Sequence, residues 1–99
     1  MNKFGLPQET IDILLNYFKQ RKEIEKVVIY GSRAKETYHT GSDIDFAIWT
    51  KNNIATTILS ELDELPTPYM FDVTDYKNLT HEGMKNSIDK YGKLFYKLK

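Results

Sequence analysis

Ninety-nine residues without a cysteine leave room for one core that buries only about 60 to 65% of its unfolded surface, and they rule out disulfides and thiolate metal sites. Lys plus Arg balance Asp plus Glu at a formal net charge of zero, so no global field draws the chain to nucleic acid or to a membrane surface. No apolar run approaches the ~18 residues of a membrane span, and Met1 to Pro7 lack the long apolar segment of a signal peptide, so a cytoplasmic, single-domain protein over 1–99 is expected.

Pro7 suits the first turn of a helix, and Ile11, Leu14, Leu15 and Phe18 then fall at i, i+3, i+4 and i+7, which predicts an amphipathic helix to about residue 20. The charged cluster Lys19 to Lys26 reads as a solvated helix end and turn. Val27 to Tyr30 is short and wholly apolar, as a buried strand is. It delivers the chain into Gly31-Ser32-Arg33-Ala34.

A second strand is expected over Ser42 to Trp49, where alternation puts Ile44, Phe46 and Ile48 on one face and Asp43, Asp45 and Ala47 on the other. Ile54, Ile58, Leu59, Leu62 and Leu65 then give a helical stripe, with Asn52 or Asn53 as its cap and Pro66 and Pro68 beyond its end. In the strand Tyr69 to Asp75, Tyr69, Phe71 and Val73 form the apolar face, while Asp72 sits opposite with Met70 and Thr74. A last helix is read from about Leu79 to Tyr91, with Met84, Ile88 and Tyr91 inward and Gly92 past its end. A short strand, Lys93 to Lys97, closes the chain.

The chemistry concentrates between Gly31 and Asp45. Carboxylates two residues apart on a strand have α-carbons about 6.5 Å apart and can converge on one hard cation. Without a cation they repel, by about 1 kcal/mol at 4 Å in water and several times that in a partly buried site. Asp72, brought from a neighbouring strand on the same face, would complete a set able to hold two metal ions. Glycine at 31 lets backbone approach phosphate oxygens, Ser32 offers a hydroxyl and an amide, and a helix starting at Arg33-Ala34-Lys35 would aim its positive end at an anion. Arg33 and Lys35 are further candidates to neutralise phosphate charge.

An isolated Asp-x-Asp is most often a pair of solvated acids, and an isolated Gly-Ser is most often a plain turn. Their joint spacing, with an acid on the matching face of a later strand, carries the signal. The pattern is neither the Gly-Lys-Ser/Thr phosphate loop nor the calcium loop. His39 and His81 lack partners at metal-ligand spacing and read as solvated or hydrogen-bonded. Tyr38, between the two halves of the motif, is a candidate to line a nucleotide or partner surface.

Gly31-Ser32-Arg33-Ala34, followed after Lys35 to Gly41 by Ser42-Asp43-Ile44-Asp45 and then Asp72 in a hydrophobic-Asp-hydrophobic setting, resembles the signature of the DNA polymerase beta-like nucleotidyltransferases. The nearest likeness is to the minimal nucleotidyltransferases, and it covers nearly the whole chain. The resemblance implies an α+β fold with a mixed sheet of about four strands and helices packed on one side. It implies that Gly31 and Ser32, with Arg33 and Ser42 of the same motif, bind the nucleotide. Asp43, Asp45 and Asp72 would be the catalytic acids and hold Mg²⁺, two ions with bound nucleotide, with Mn²⁺ as an alternative. One departure stands out: where the family usually has glycine soon after the Ser-Arg-Ala run, this chain has Lys35-Glu36. If that position needs a positive φ, Glu36 strains the turn and sets a negative charge near the phosphates.

The reaction expected is Mg²⁺-dependent transfer of a nucleoside monophosphate, AMP from ATP in the first instance or the equivalent from another NTP, onto an acceptor hydroxyl. Many small members pair as antitoxins with helical HEPN-domain toxins, so the resemblance also implies a HEPN-type partner, whose tyrosine is a candidate acceptor. A partner-binding antitoxin without catalysis, and an ATP sensor without turnover, are the alternatives. Homo- and hetero-oligomers both stay open.

Overall fold

The structure is a computed structural model and describes residues 3–39 and 41–99. Helix α1 (Gln8–Gln20) follows Pro7 and buries Ile11, Leu14 and Phe18, the stripe expected from their spacing. Strand β1 (Ile24–Tyr30) begins three residues before the apolar run, because Ile24 is buried and pairs with Thr50. The charged segment ahead of Val27 is therefore partly strand, with Glu25 and Lys26 half-buried within it. Helix α2 (Ser32–Lys35) is a single short turn. Strand β2 (Ile44–Thr50), helix α3 (Ala55–Asp63) and strand β3 (Phe71–Asp75) follow, and then α4 (Glu82–Tyr91) and β4 (Lys93–Lys97).

The four strands form one mixed sheet in the order β3-β2-β1-β4. β1 runs antiparallel to both β2 and β4, and β2 runs parallel to β3. A parallel neighbour requires a crossover connection, and α3 supplies it.

On one face, α1 and α3 cover Val27, Ile29, Ile44, Phe46 and Ile48. Phe18 sits at the centre, edge-on to Phe46 at 5.4 Å and to Phe95 at 6.0 Å, and each such pair adds about 0.5 to 1.5 kcal/mol to the burial itself. Tyr17 of α1 and Arg21 at its C-cap both donate to Glu61 of α3, tying the two helices together.

The opposite face is not bare, as a one-sided packing would have it. Ile88 of α4 is 2% exposed and packs on Val28, Tyr30 and Ala47, flanked by Trp49, Tyr76 and Leu79. Val28, Tyr30 and Ala47 are apolar at the alternate positions of β1 and β2, so this face also needs a cover.

Three other expectations change. Helix α3 has Ile54 at its N-cap with no side-chain cap; the Asn53 amide oxygen accepts from Asn78 instead. Residues 76–78 form a 3₁₀ turn that delays α4 to Glu82, where the His81 ring nitrogen Nδ1 accepts from the Met84 N–H at 3.0 Å. Of the three residues expected inward on α4, Met84 and Tyr91 are exposed and Ile88 alone is buried.

Candidate active site

The site lies where β1 ends and β2 and β3 begin. Because β2 returns antiparallel along β1, the connection from Gly31 to Asp43 brings the Gly-Ser turn back beside the acids. Because β3 starts alongside β2, Asp72 falls directly opposite Asp45 in the parallel ladder, and Tyr30 lies opposite Asp45 on the other side. Tyr30, Asp45 and Asp72 thus form a row across three strands.

Asp45 is half-buried, whereas Asp43, just before β2, and Asp72 are exposed. Burial raises the Asp45 pKa above its usual value, the charges of Asp72 and Asp43 raise it further, and Arg33 opposes the shift. Asp45 thus lies within electrostatic reach of both other carboxylates. Among the described residues no three acidic or histidine side chains are grouped closely enough to hold a metal ion. The donor set is nevertheless all-oxygen and carries uncompensated negative charge, which fits a hard divalent cation.

Asp75, at the end of β3, accepts from the Asn78 side-chain amide at 2.7 Å. In the ladder it lies opposite Ile48, whereas Asp72 lies opposite Asp45.

Gly31 has φ +73°, and a Cβ placed there would run into the Asp45 carboxylate. Glycine is required twice over, by conformation and by space. Ser32 opens α2 half-buried, and the first amides of a helix have no carbonyl behind them. With only four residues, α2 has little macrodipole, so those amides and the Ser32 hydroxyl replace the helix end expected from the sequence as what can meet an anion. Lys35 is exposed and holds its ammonium 4.6 Å from the Tyr91 ring.

Arg33 departs from expectation. It is 2% exposed, and its guanidinium donates to the Phe4 carbonyl at 2.9 Å and to the Ser42 carbonyl at 2.8 Å. It lies between the rings of Tyr38 and Tyr69, 5.3 and 5.2 Å away. Buried and bonded through all three nitrogens to backbone carbonyls, Arg33 is a clamp that fixes the loop running into Asp43 rather than an open phosphate contact. Tyr38 accordingly lines this clamp. Ser42 accepts at Oγ from the His39 N–H at 2.7 Å and closes the same loop, leaving its own hydroxyl proton free to donate.

Glu36 ends α2 with φ 63° and ψ 28°, in the left-handed region. The turn does need a positive φ here, and this chain meets the need with a residue that pays for it in strain.

Sequence reasoning missed Tyr30 and Thr74. The Tyr30 hydroxyl and Thr74 Oγ1 are 2.8 Å apart, bracing β1 to β3 across Ala47 beside the acidic row. Burial raises the Tyr30 pKa, and Asp72 and Asp45 raise it further against the hydrogen bond to Thr74. The signal was parity: Tyr30 and Thr74 share the face of Asp45 and Asp72.

The family described as polymerase beta, nucleotidyltransferase matches residues 12–99. None of the curated proteins matches the chain. Among solved structures, a chain of a toxin-antitoxin complex with AMP-PNP is 22% identical, with TM-score 0.62, over 94% of this chain and 76% of that one. A chain of a complex of tri-AMPylated Shewanella oneidensis HEPN toxin with MNT antitoxin is 17% identical, with TM-score 0.59, over 92% and 72%. A putative nucleotidyltransferase from Sulfolobus solfataricus is 24% identical, with TM-score 0.57, over 91% and 78%. Those likenesses are of fold; with the Gly31-Ser32 turn and the acids at 43, 45 and 72 inside the matched span, the chain belongs to the polymerase beta nucleotidyltransferase family.

Proposed function

We propose that this protein transfers AMP from ATP onto an acceptor hydroxyl, and that the hydroxyl belongs to a tyrosine of a helical HEPN-type partner protein. The observation that carries this reading is the register pairing of Asp45 with Asp72 beside the Gly31-Ser32 turn. It supports a reaction in which a polyphosphate is held on one side of the acids and a nucleophile arrives on the other.

Asp43, Asp45 and Asp72 would hold Mg²⁺, with Mn²⁺ as a substitute, and when bound it would neutralise the triphosphate and stabilise the leaving pyrophosphate. The Gly31 and Ser32 backbone, with the Ser32 and Ser42 hydroxyls, would orient the phosphates. Asp72, exposed at the start of β3, would take the acceptor's proton as its oxygen forms a bond to the α-phosphorus and the bond to pyrophosphate breaks. Tyr30 and Thr74 would keep Asp45 and Asp72 at fixed separation.

The partner half of the reading draws on two of the fold neighbours, which are chains of toxin-antitoxin complexes, one with an AMPylated toxin. Incubation with labelled ATP, Mg²⁺ and a candidate HEPN protein tests it. Label should appear on a partner tyrosine and vanish with Asp43→Asn plus Asp45→Asn. Transfer that survives both changes would remove the reading.

A further inference from the structure

The charges of this neutral chain are segregated. From Ile54 to Asp75 there are five acids, Glu61, Asp63, Glu64, Asp72 and Asp75, and no base. From Glu82 to Lys99 there are five lysines against Glu82 and Asp89. The first stretch ends in β3 and the second in β4, which are the two edges of the sheet, so the molecule presents one acidic and one basic edge.

On the basic side a groove of about 350 Å³ opens between α4 and the β1–β4 pair. Val28 and Leu94, paired across the ladder, give it an apolar floor, and Leu94 is 58% exposed. Trp49 forms a wall, stacked on Tyr76 at 4.3 Å.

At its mouth Lys26 and Lys97 are direct partners in the antiparallel ladder, an arrangement of like charges that is destabilising. Among the described residues neither lysine has an ion pair. Asp89, the acid in the groove, is already engaged by the Tyr76 hydroxyl at 2.6 Å. Lysine on an edge strand guards against aggregation, which accounts for Lys93 and Lys97. It does not account for Lys26, which lies on the interior strand β1 with its ammonium 4.4 Å from the Trp49 ring.

We propose that this groove is the surface on which the chain holds its protein partner, and that it takes an acidic segment carrying an apolar side chain. The carboxylates would relieve the Lys26–Lys97 repulsion while the apolar group covers Leu94 and Val28. Basic charge around an apolar slot selects this chemistry. The inference extends the partner half of the reading above, and its test does not depend on nucleotide transfer.

Trp49 is the only tryptophan in the chain, so its fluorescence reports occupancy directly. A short blocked peptide of alternating glutamate and leucine should shift Trp49 emission saturably. Added salt, or Lys97→Glu on the exposed edge, should weaken binding about tenfold or more, as loss of a charge pair does. The glutamine counterpart of the peptide should bind at least about tenfold more weakly. The milder Lys97→Gln should give an intermediate loss, and far-ultraviolet dichroism establishes that each variant is folded.

The proposal would be overturned by no emission change with the acidic peptide, by equal binding of the glutamine peptide, or by unchanged binding by folded Lys97→Glu. Displacement of the peptide by an oligonucleotide at lower concentration would assign the groove to nucleic acid and equally defeat it. Label transfer to a partner by a protein that fails the peptide test leaves the transfer reading standing and this one refuted. Peptide binding by a protein without transferase activity does the reverse.

Discussion

The Asp45 carboxylate occupies the space that a side chain at Gly31 would need. A Cβ built on Gly31 lies 3.2 Å from Asp45 Cγ, with Oδ2 closer still. The Gly31-Ser32 turn and the acid that stands between Tyr30 and Asp72 are therefore a single packed unit. Gly31→Ala must displace Asp45 and also hold alanine at φ +73°, which costs about 1 to 2 kcal/mol for the conformation alone. Urea denaturation should show at least that loss, and AMP transfer should fall about a hundredfold or more from misplacement of the acid.

Asp45→Asn should make the metal-free protein more stable. Burial and the charges of Asp72 and Asp43 push the Asp45 pKa up, so at neutral pH its ionised form works against the fold, and protonation relieves it. An amide of the same shape removes that opposition. Thermal scans should show a higher Tm for the variant without Mg²⁺. Added Mg²⁺ should raise the Tm of the parent protein and leave the variant's unchanged.

Glu36→Gly should stabilise the protein. The left-handed conformation costs a non-glycine residue about 1 to 2 kcal/mol, and the entropy glycine loses on folding offsets about half of that. A net gain of about 0.5 to 1 kcal/mol would appear as a Tm higher by a few degrees in a domain of this size. A lower Tm would show that the Glu36 side chain contributes something the turn geometry does not reveal.

Glu61 gives the acid limb of the stability curve. Hydrogen bonds from Arg21 and Tyr17 hold its pKa below the usual 4.5. Its contribution is therefore present above that value and is lost as pH falls through the lower folded one. Glu61→Gln should be less stable at pH 7, and its stability should fall less steeply below about pH 4.5 than the parent's. Denaturation midpoints across that range decide the matter.

Arg33→Met should cost about 2 to 4 kcal/mol, because it strips the donors from the Phe4 and Ser42 carbonyls in a buried setting. Nucleotide affinity should fall with it through loosening of the loop that leads to Asp43. Wild-type stability in Arg33→Met would show that the clamp is dispensable.

Periodicity set the helix and strand order of this chain, and parity alone placed Asp45 and Asp72 on one side of their strands, with Asp43 falling just before β2. A side chain's face follows from counting along a strand, so that much is local. The run of charge before Val27 concealed the first half of β1, since pairing of Ile24 with Thr50 lies far off in sequence. Arg33 reads as a phosphate ligand next to Gly31-Ser32. Only the approach of Phe4 and Ser42, from elsewhere in the chain, makes it a buried clamp.

Residue types and their spacing thus determined which groups could do chemistry. Tertiary structure decided which of them meet: the α3 crossover sets β3 parallel to β2, so Asp72 stands opposite Asp45 and the two edges of the sheet carry opposite charge. Strand neighbourhood is settled by burial summed over the whole sheet, which no single stretch of sequence encodes.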